Sequence, residues 1–256
     1  MRSTDTGPAT ARGELMIVAH RGAMTHALEN TIAAFQLAEQ LGCRELELDL
    51  RPSADGRMVV IHDATLDRLA AHEDGRGLGA VAAMTLEELQ RVPLRDGHRL
   101  HTFEEVCAAT TAGLEVEIKD PAVVPLLAAF LKTRPEVVQR MRLTSFRAEA
   151  LVQARELLPQ IPRGMIVHRL PVTEKHPEGL DALLERTGAS TLLSGWEGLT
   201  ADAVAAQHAA GRRVHGWPLR TAEQMARAVA IGVDGTTVDD PQAAFEWYQQ
   251  VLAARG

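Results

Sequence analysis

The sequence predicts an α/β protein built as one (β/α)8 barrel, a TIM barrel, with a small insertion after its second strand. Two observations predict the barrel. From Leu15 onward short apolar runs alternate with amphipathic stretches, the signature of repeated βα units on a parallel sheet. The 256 residues also match the roughly 250 typical of this fold. A third observation predicts the insertion: the connection from Arg51 to about His101 far exceeds the roughly 2 to 6 residues of ordinary βα loops.

The strand candidates, in order, are LMIVAH from Leu15, ELELDL from Glu45, LEVEIK from Leu114, MRLTSF from Met141, GMIVH from Gly164, STLLSG from Ser190, RRVHGWPL from Arg212 and GTTVD from Gly235. A helix candidate follows each. After the first strand, Leu28, Ile32, Phe35, Ala38 and Leu41 fall on one apolar stripe that Gly42 ends. After the second, Asp55-Gly56 marks a hairpin turn between ELELDL and RMVVIH, and a Gly-rich loop from Glu73 to Gly79 leads to the short helix TLEELQ. Thr85 with Glu88, Thr102 with Glu105 and Thr221 with Gln224 fit capping boxes. Asp120-Pro121 and Asp240-Pro241 place Pro at a first helical position. Residues 1–13 read as a polar, disordered tail, leaving 14–256 as one domain whose insertion, about 52–100, sits over the C-terminal face of the barrel.

Composition excludes several classes. With 46% hydrophobic and 24% charged residues the chain can bury a full core, so disorder is excluded. A net charge of -7 leaves no broad positive field for nucleic acid or an anionic membrane. Cys43 and Cys107 lie in no metal or redox spacing and read as reduced, structural thiols. No segment approaches the roughly 18 apolar residues of a membrane span, and no secretory signal is evident; a soluble, cytoplasmic protein is expected. Nothing in the sequence speaks to oligomeric state.

The chemistry-bearing residues cluster at the ends of the first three barrel strands, where barrel active sites are assembled. His20-Arg21-Gly22 closes the first. In ELELDL, residues two apart share a face, so Glu47 and Asp49 point into the mouth while Leu46, Leu48 and Leu50 face the helices. Glu117 and Lys119 repeat that parity on the third strand. Three converging carboxylates repel one another unless a cation lies between them, and all-oxygen ligation selects a hard divalent ion, Mg²⁺, Ca²⁺ or Mn²⁺. His62-Asp63 ends the hairpin's return strand and can face His20 across the mouth. Imidazoles titrate near pH ~6.5, so one neutral and one protonated histidine can serve as base and acid. Arg21 and Lys119 supply the positive charge a phosphodiester anion needs.

On AHRG at 19–22, ENT at 29–31, ELELDL, DG, VVIHD at 59–63 and EIK at 117–119, the chain resembles the glycerophosphodiester phosphodiesterases. TSF near Ser145, RVHGW ending at Trp217 and GVDGTTVDDP extend the likeness from Val18 to Pro241. The resemblance implies metal-dependent hydrolysis of a glycerophosphodiester, a small-molecule substrate, to sn-glycerol 3-phosphate and an alcohol. By it His20 and His62 are the catalytic pair, Glu47, Asp49 and Glu117 hold the metal, and Arg21 and Lys119 hold the phosphate. It further implies that Glu29 shapes the site and that Trp217 borders the glycerol moiety. Two alternatives stand beside this: a lysophospholipase-D-like activity on the same site, and a barrel that binds phosphoryl ligands without catalysis. A long acyl chain needs an apolar groove, and the charged, Gly-rich stretch from Glu73 to Gly79 gives little sign of one.

The departures fall where substrate would be chosen. Leu28 stands where the family commonly has Pro before ENT, and WPLR, ending in Arg220, replaces Trp-Thr-x-Asn. His215 shares the parity of Trp217 and reads as a hydrogen-bonded core histidine. His168 ends a strand with no assigned role, His26, His72, His98 and His101 read as solvated loop residues, and Trp196 reads equally as an apolar wall or as packing.

Overall fold

The computed structural model describes residues 14–172 and 174–255, so the expected tail at 1–13 lies outside the described residues. The strands are β1 (Met16–Ala19), β2 (Glu45–Pro52), β3 (Met58–Val60), β4 (Gly113–Ile118), β5 (Met141–Ser145), β6 (Arg163–Val167), β7 (Thr191–Gly195), β8 (Arg213–Leu219) and β9 (Gly235–Val238). Between and after them run α1 (Ile32–Gln40), α2 (Leu86–Arg91), α3 (Phe103–Ala109), α4 (Val123–Thr133), α5 (Pro135–Val138), α6 (Ala148–Leu157), α7 (Leu180–Thr187), α8 (Ala201–Ala209), α9 (Ala222–Ile231) and α10 (Pro241–Ala253). All but β3 pair in parallel, and β1 joins both β2 (Val18↔Glu45) and β9 (Met16↔Gly235), which closes a (β/α)8 barrel with no free edge. β3 folds back antiparallel on the upper end of β2, Leu50↔Val60, through the Asp55-Gly56 turn.

Alternation along the strands sorts the side chains. Leu46, Leu48, Leu50, Val116 and Ile118 are fully buried in the core shared with Phe35 of α1, Phe103 of α3 and Leu127 of α4. The opposite face is polar where such barrels usually carry branched aliphatics. Glu45, Glu115, Arg142 and His215 are buried in the lower barrel, with Arg142 Nη1 3.2 Å from Glu115 Oε2. His215 sits over Gly235, where a Cβ would lie 2.7 Å from its Nε2. Burial pushes Glu45 up to about 7 and the His215 imidazole well down, so this layer carries less charge than its composition suggests. The expected core position of His215 holds, but neither ring nitrogen has a hydrogen-bond partner among the described residues.

The insertion builds a core of its own. Val59, Ile61, Leu66, Leu69, Leu89 and Leu100 are buried together, apart from the main core. Each fully buried side chain of this kind contributes about 1.5–3 kcal/mol, enough for the insertion to hold a fixed shape. Leu28 belongs to this cluster and not to the helix stripe expected of it. Asn30 adopts a left-handed φ of 58° and Thr31 caps α1, accepting from Ala34 N at 3.2 Å, so the helix begins after Leu28.

Two other expected helix starts differ. Thr221 caps α9, but the Gln224 side chain accepts from Arg220 N and not from Thr221, so the box is half formed. Pro121 lies in a turn ahead of α4, where Ala122 N donates to Asp120 Oδ1 and Val123 N to Asp120 O. The boxes at Thr85 and Thr102 are complete, and Asp240 caps α10 with Pro241 at its first position. Among the described residues no helix is long and apolar enough to cross a membrane.

Candidate active site

The site begins where β1 ends. His20 N donates to Val238 O at 2.9 Å, and Arg21 and Gly22 then take left-handed φ values of 54° and 84°. This turn aims the Arg21 amide back into the barrel, where it donates to Glu47 Oε2 at 2.9 Å. Only glycine fits at 22, because a Cβ there would lie 2.6 Å from the Ala34 carbonyl carbon besides being strained. Asn30 N returns to Arg21 O at 3.0 Å, which brings Asn30 Nδ2 within 2.8 Å of Asp49 Oδ2.

Register then assembles the acids. Asp49 of β2 stands beside Glu117 of β4, and oxygens of Glu47, Asp49 and Glu117 lie within 4.8 Å of one another. All three are buried. Burial, then Asp49 and Glu117, push the Glu47 carboxyl well above the carboxylate range; burial and Asp49 push Glu117 up to about 7. Asp49 stays below its ordinary value despite burial, because Lys119, Arg21, His62 and Asn30 all favour its charged form. Lys119 Nζ is 2.7 Å from Glu117 Oε1 and 3.4 Å from Asp49 Oδ1, and Arg21 Nε is 3.3 Å from Asp49 Oδ2. Asp49 Oδ1 is buried with no hydrogen-bond partner among the described residues. Mutually repelling carboxylates, one with a buried oxygen that no hydrogen bond satisfies, and only oxygen donors fit a hard divalent cation.

The two histidines are held alike. His62 follows β3; Ile61 N donates to Asp49 O at 3.0 Å and Arg51 Nε to His62 O at 2.9 Å, which sets the ring beside the acids. Its Nδ1 meets Asp63 Oδ1 at 2.6 Å, and Arg68 Nε donates to Asp63 Oδ2 at 2.6 Å. His20 Nδ1 meets Asp239 Oδ1 at 2.6 Å, and Arg220 Nε donates to Asp239 Oδ2 at 2.6 Å. Burial opposes ionisation of both aspartates, yet these hydrogen bonds hold each carboxyl down at about 2. With Nδ1 engaged by a carboxylate, Nε2 of each ring is left without a hydrogen-bond partner among the described residues. Burial is the largest cause lowering the His62 pKa; Arg21 and Lys119 add to it, against Asp49 and Asp63.

Glu29, buried, accepts from Arg21 Nη1 at 2.9 Å and from Arg68 Nη1 and Nη2 at 2.5 and 2.7 Å, coupling the insertion to the Arg21 guanidinium. Trp217, half-buried, meets Phe146 edge-on with centroids 5.3 Å apart, and Lys119 Nζ stands 5.9 Å from the Phe146 ring centre. The nine candidate positions thus lie around one mouth. Trp196 is packing: its indole covers Gly216 and donates to Pro218 O at 2.6 Å. His26 pairs with Asp240 and the His101 ring is largely buried, so neither is simply solvated. Sequence reasoning passed over Asn30, Asp63, Arg68 and Asp239 as parts of the site; Arg220, noted as a departure where substrate would be chosen, instead backs Asp239. Asn30 and Asp63 stood inside quoted motifs, and Asp239 inside DDP, whereas Arg68 carried no signal.

Comparison with known proteins gives the family and the fold. The sequence model described as "Glycerophosphoryl diester phosphodiesterase family" matches residues 20–243. YhdW of Bacillus subtilis (strain 168) is 31% identical over 244 residues, covering 89% of this chain and 95% of that one. A glycerophosphodiester phosphodiesterase of Caldanaerobacter subterraneus subsp. tengcongensis is 29% identical over 243 residues, with the same coverage of 89% and 95%. Among solved structures, an Oleispira antarctica phosphodiesterase in complex with the product sn-glycerol-3-phosphate superposes with a TM-score of 0.79 at 24% identity, covering 93% of this chain and 96% of that one. A Thermotoga maritima glycerophosphodiester phosphodiesterase gives 0.73 at 22%, with coverage of 92% and 99%.

Proposed function

The chain belongs to the glycerophosphoryl diester phosphodiesterase family, and on that premise we propose that it hydrolyses a glycerophosphodiester to sn-glycerol 3-phosphate and an alcohol. The observation that carries the reading is the meeting of three buried carboxylates with two histidines, each clamped by an aspartate. Glu47, Asp49 and Glu117 would hold one divalent cation, Mg²⁺, Ca²⁺ or Mn²⁺, whose charge when bound polarises a phosphoryl oxygen.

The side chains do the rest. Arg21 and Lys119, already turned to the acids, hold the phosphodiester anion and balance charge that grows on its oxygens in the transition state. One histidine accepts a proton at Nε2 from the attacking oxygen as the new P–O bond forms. The other, protonated, delivers a proton from Nε2 to the alcohol oxygen as the old P–O bond breaks. Asp63 and Asp239 keep the proton on Nδ1 in both rings, and so keep Nε2 toward the phosphorus. Glu29 steadies Arg21, and Trp217 offers an apolar face to the glycerol carbons.

The test is release of sn-glycerol 3-phosphate from glycerophosphodiesters, with and without chelator. Release that chelator abolishes and Mg²⁺, Ca²⁺ or Mn²⁺ restores is expected. No release from any glycerophosphodiester, with each cation supplied, overturns the reading.

A further inference from the structure

A second cavity opens on the same face, at the C-terminal ends of β5, β6 and β7. It measures about 430 Å³, within the roughly 300–1,000 Å³ of small-molecule sites. Phe146 and His168 form one wall, stacked with centroids 4.6 Å apart and planes at 26°. Trp217 closes on both rings, at 5.3 Å from Phe146 and 5.9 Å from His168. With Lys119 Nζ 5.9 Å from the Phe146 centre, this aromatic wall separates the cavity from the phosphate-binding groups by little more than a ring.

The wall is built to stay in place. Leu170 N donates to Glu197 O at 3.0 Å, and a Cβ on Gly195 or Gly198 would collide with the carbonyl oxygen of His168 or Leu170. Glycine at those two positions lets the segment after β6 lie directly on the end of β7. Arg169 closes the rim by bonding Glu174 at 2.5 Å and Glu197 at 3.4 Å. The floor includes Val172, buried, and the rim carries Lys175 and His176. Lys175 has no ion-pair partner among the described residues, and its charge acts on His168, helping partial burial to keep that ring neutral.

We propose that this cavity receives the alcohol half of the substrate, and that this alcohol is a sugar or cyclitol, a ring bearing several hydroxyls. The proposal rests on the hydrolytic reading above and names the substrate class of that site. An aromatic platform takes the apolar face of such a ring, while donors and acceptors on the rim meet its hydroxyls. The alternatives fit less well. Arg169 bridges both rim carboxylates and Lys175 balances the remaining negative charge, so an ammonium-bearing alcohol such as choline finds no uncompensated acid to pair with. An acyl chain meets a cavity of about 430 Å³ whose lining includes Arg169, Glu174, Lys175 and Glu197, a charged rim and not an apolar groove.

The experiment compares kcat/KM for three diesters of sn-glycerol 3-phosphate, with inositol, choline and methanol as the alcohols, in the wild-type protein and in Val172→Trp and Lys175→Glu. The inositol ester is expected at least tenfold above the other two. Val172→Trp lowers the inositol value tenfold or more and the methyl value less than threefold; Lys175→Glu, at an exposed position, narrows the inositol-to-choline ratio even if the tryptophan variant does not fold. Equal wild-type values for the inositol and methyl esters, a preference for choline, or parallel losses on all three esters overturn the subsite and leave the hydrolytic reading standing. Failure to cleave any of the three overturns both.

Discussion

The two sides of the mouth hold their histidines by the same device and build it from different materials. On the insertion side His62, Asp63 and Arg68 lie within a few residues of one another, and Arg68 runs on into buried Glu29 and thence to Arg21. On the barrel side His20 and Asp239 are 219 residues apart. They meet because Ala19 pairs with Val238 across the β1–β9 seam, which makes them the next residues out of each strand. Arg220 backs Asp239 from the end of β8 and is 59% exposed. One support is local and tied into the site; the other depends on closure of the barrel and ends in solvent.

The largest expected effect tests whether both sides are catalytic at all. His20→Ala and His62→Ala should each lower glycerol 3-phosphate release by about 10²–10⁴, the range for general acid–base groups, while circular dichroism and thermal melting stay close to wild type. A histidine whose loss leaves near-normal turnover would remove its side from the mechanism. Next come the carboxylates behind the rings. Asp63→Asn and Asp239→Asn should each cost about 10- to 100-fold in kcat with little change in KM, and an unchanged kcat would reduce that aspartate to packing.

The same aspartates give a pH test. Both are held at about 2 against an ordinary value of 3.8, so each folded-state pKa is depressed. Their stabilisation is present above the ordinary value and is lost as pH falls toward 2. Urea melts should therefore show the wild-type advantage over each Asp→Asn variant at pH 5–7, shrinking below about 4. An advantage that grows on acidification would contradict the assigned pairing.

How much of this could be read from the sequence follows from the physics of each element. The parity of Glu47, Asp49 and Glu117 was legible because a strand's period of two is strict, and the register Asp49↔Glu117 then follows from parallel pairing. The fold was legible from the βα rhythm. Asp239 was not, because in Asp239-Asp240 one residue caps a helix and the other turns to a histidine across the seam, and a dipeptide does not say which. Arg68 lies in irregular backbone whose course is set by the insertion's own core. Leu28 misled because its spacing from Ile32 suits a helix, while the left-handed Asn30 that breaks the stripe is a tertiary matter, drawn to Asp49.

Glu47 belongs to neither side and so sharpens the comparison by failing to discriminate. Glu47→Gln should raise the cation concentration needed for half-maximal activity about tenfold or more, with both histidine dyads intact. Unchanged metal dependence would take Glu47 out of the ligand set, and the three-carboxylate reading with it.

The smallest effect separates the two arginines and bears most directly on the contrast. Arg68→Met leaves Glu29, 5% exposed, with Arg21 as its remaining cation, and an under-satisfied buried polar group costs about 1–3 kcal/mol. Arg220→Met removes an exposed partner from Asp239, which keeps His20, and exposed ion pairs contribute about 0–1 kcal/mol. Urea denaturation of the two variants at pH 7 should therefore order them, Arg68→Met the less stable. The kinetic order should follow, since Arg68 also steadies Arg21 through Glu29, so that its loss raises KM for the phosphodiester while Arg220→Met leaves KM near wild type. Equal losses in stability and in KM would show that the insertion's network contributes no more than the solvent-exposed clamp on the barrel side.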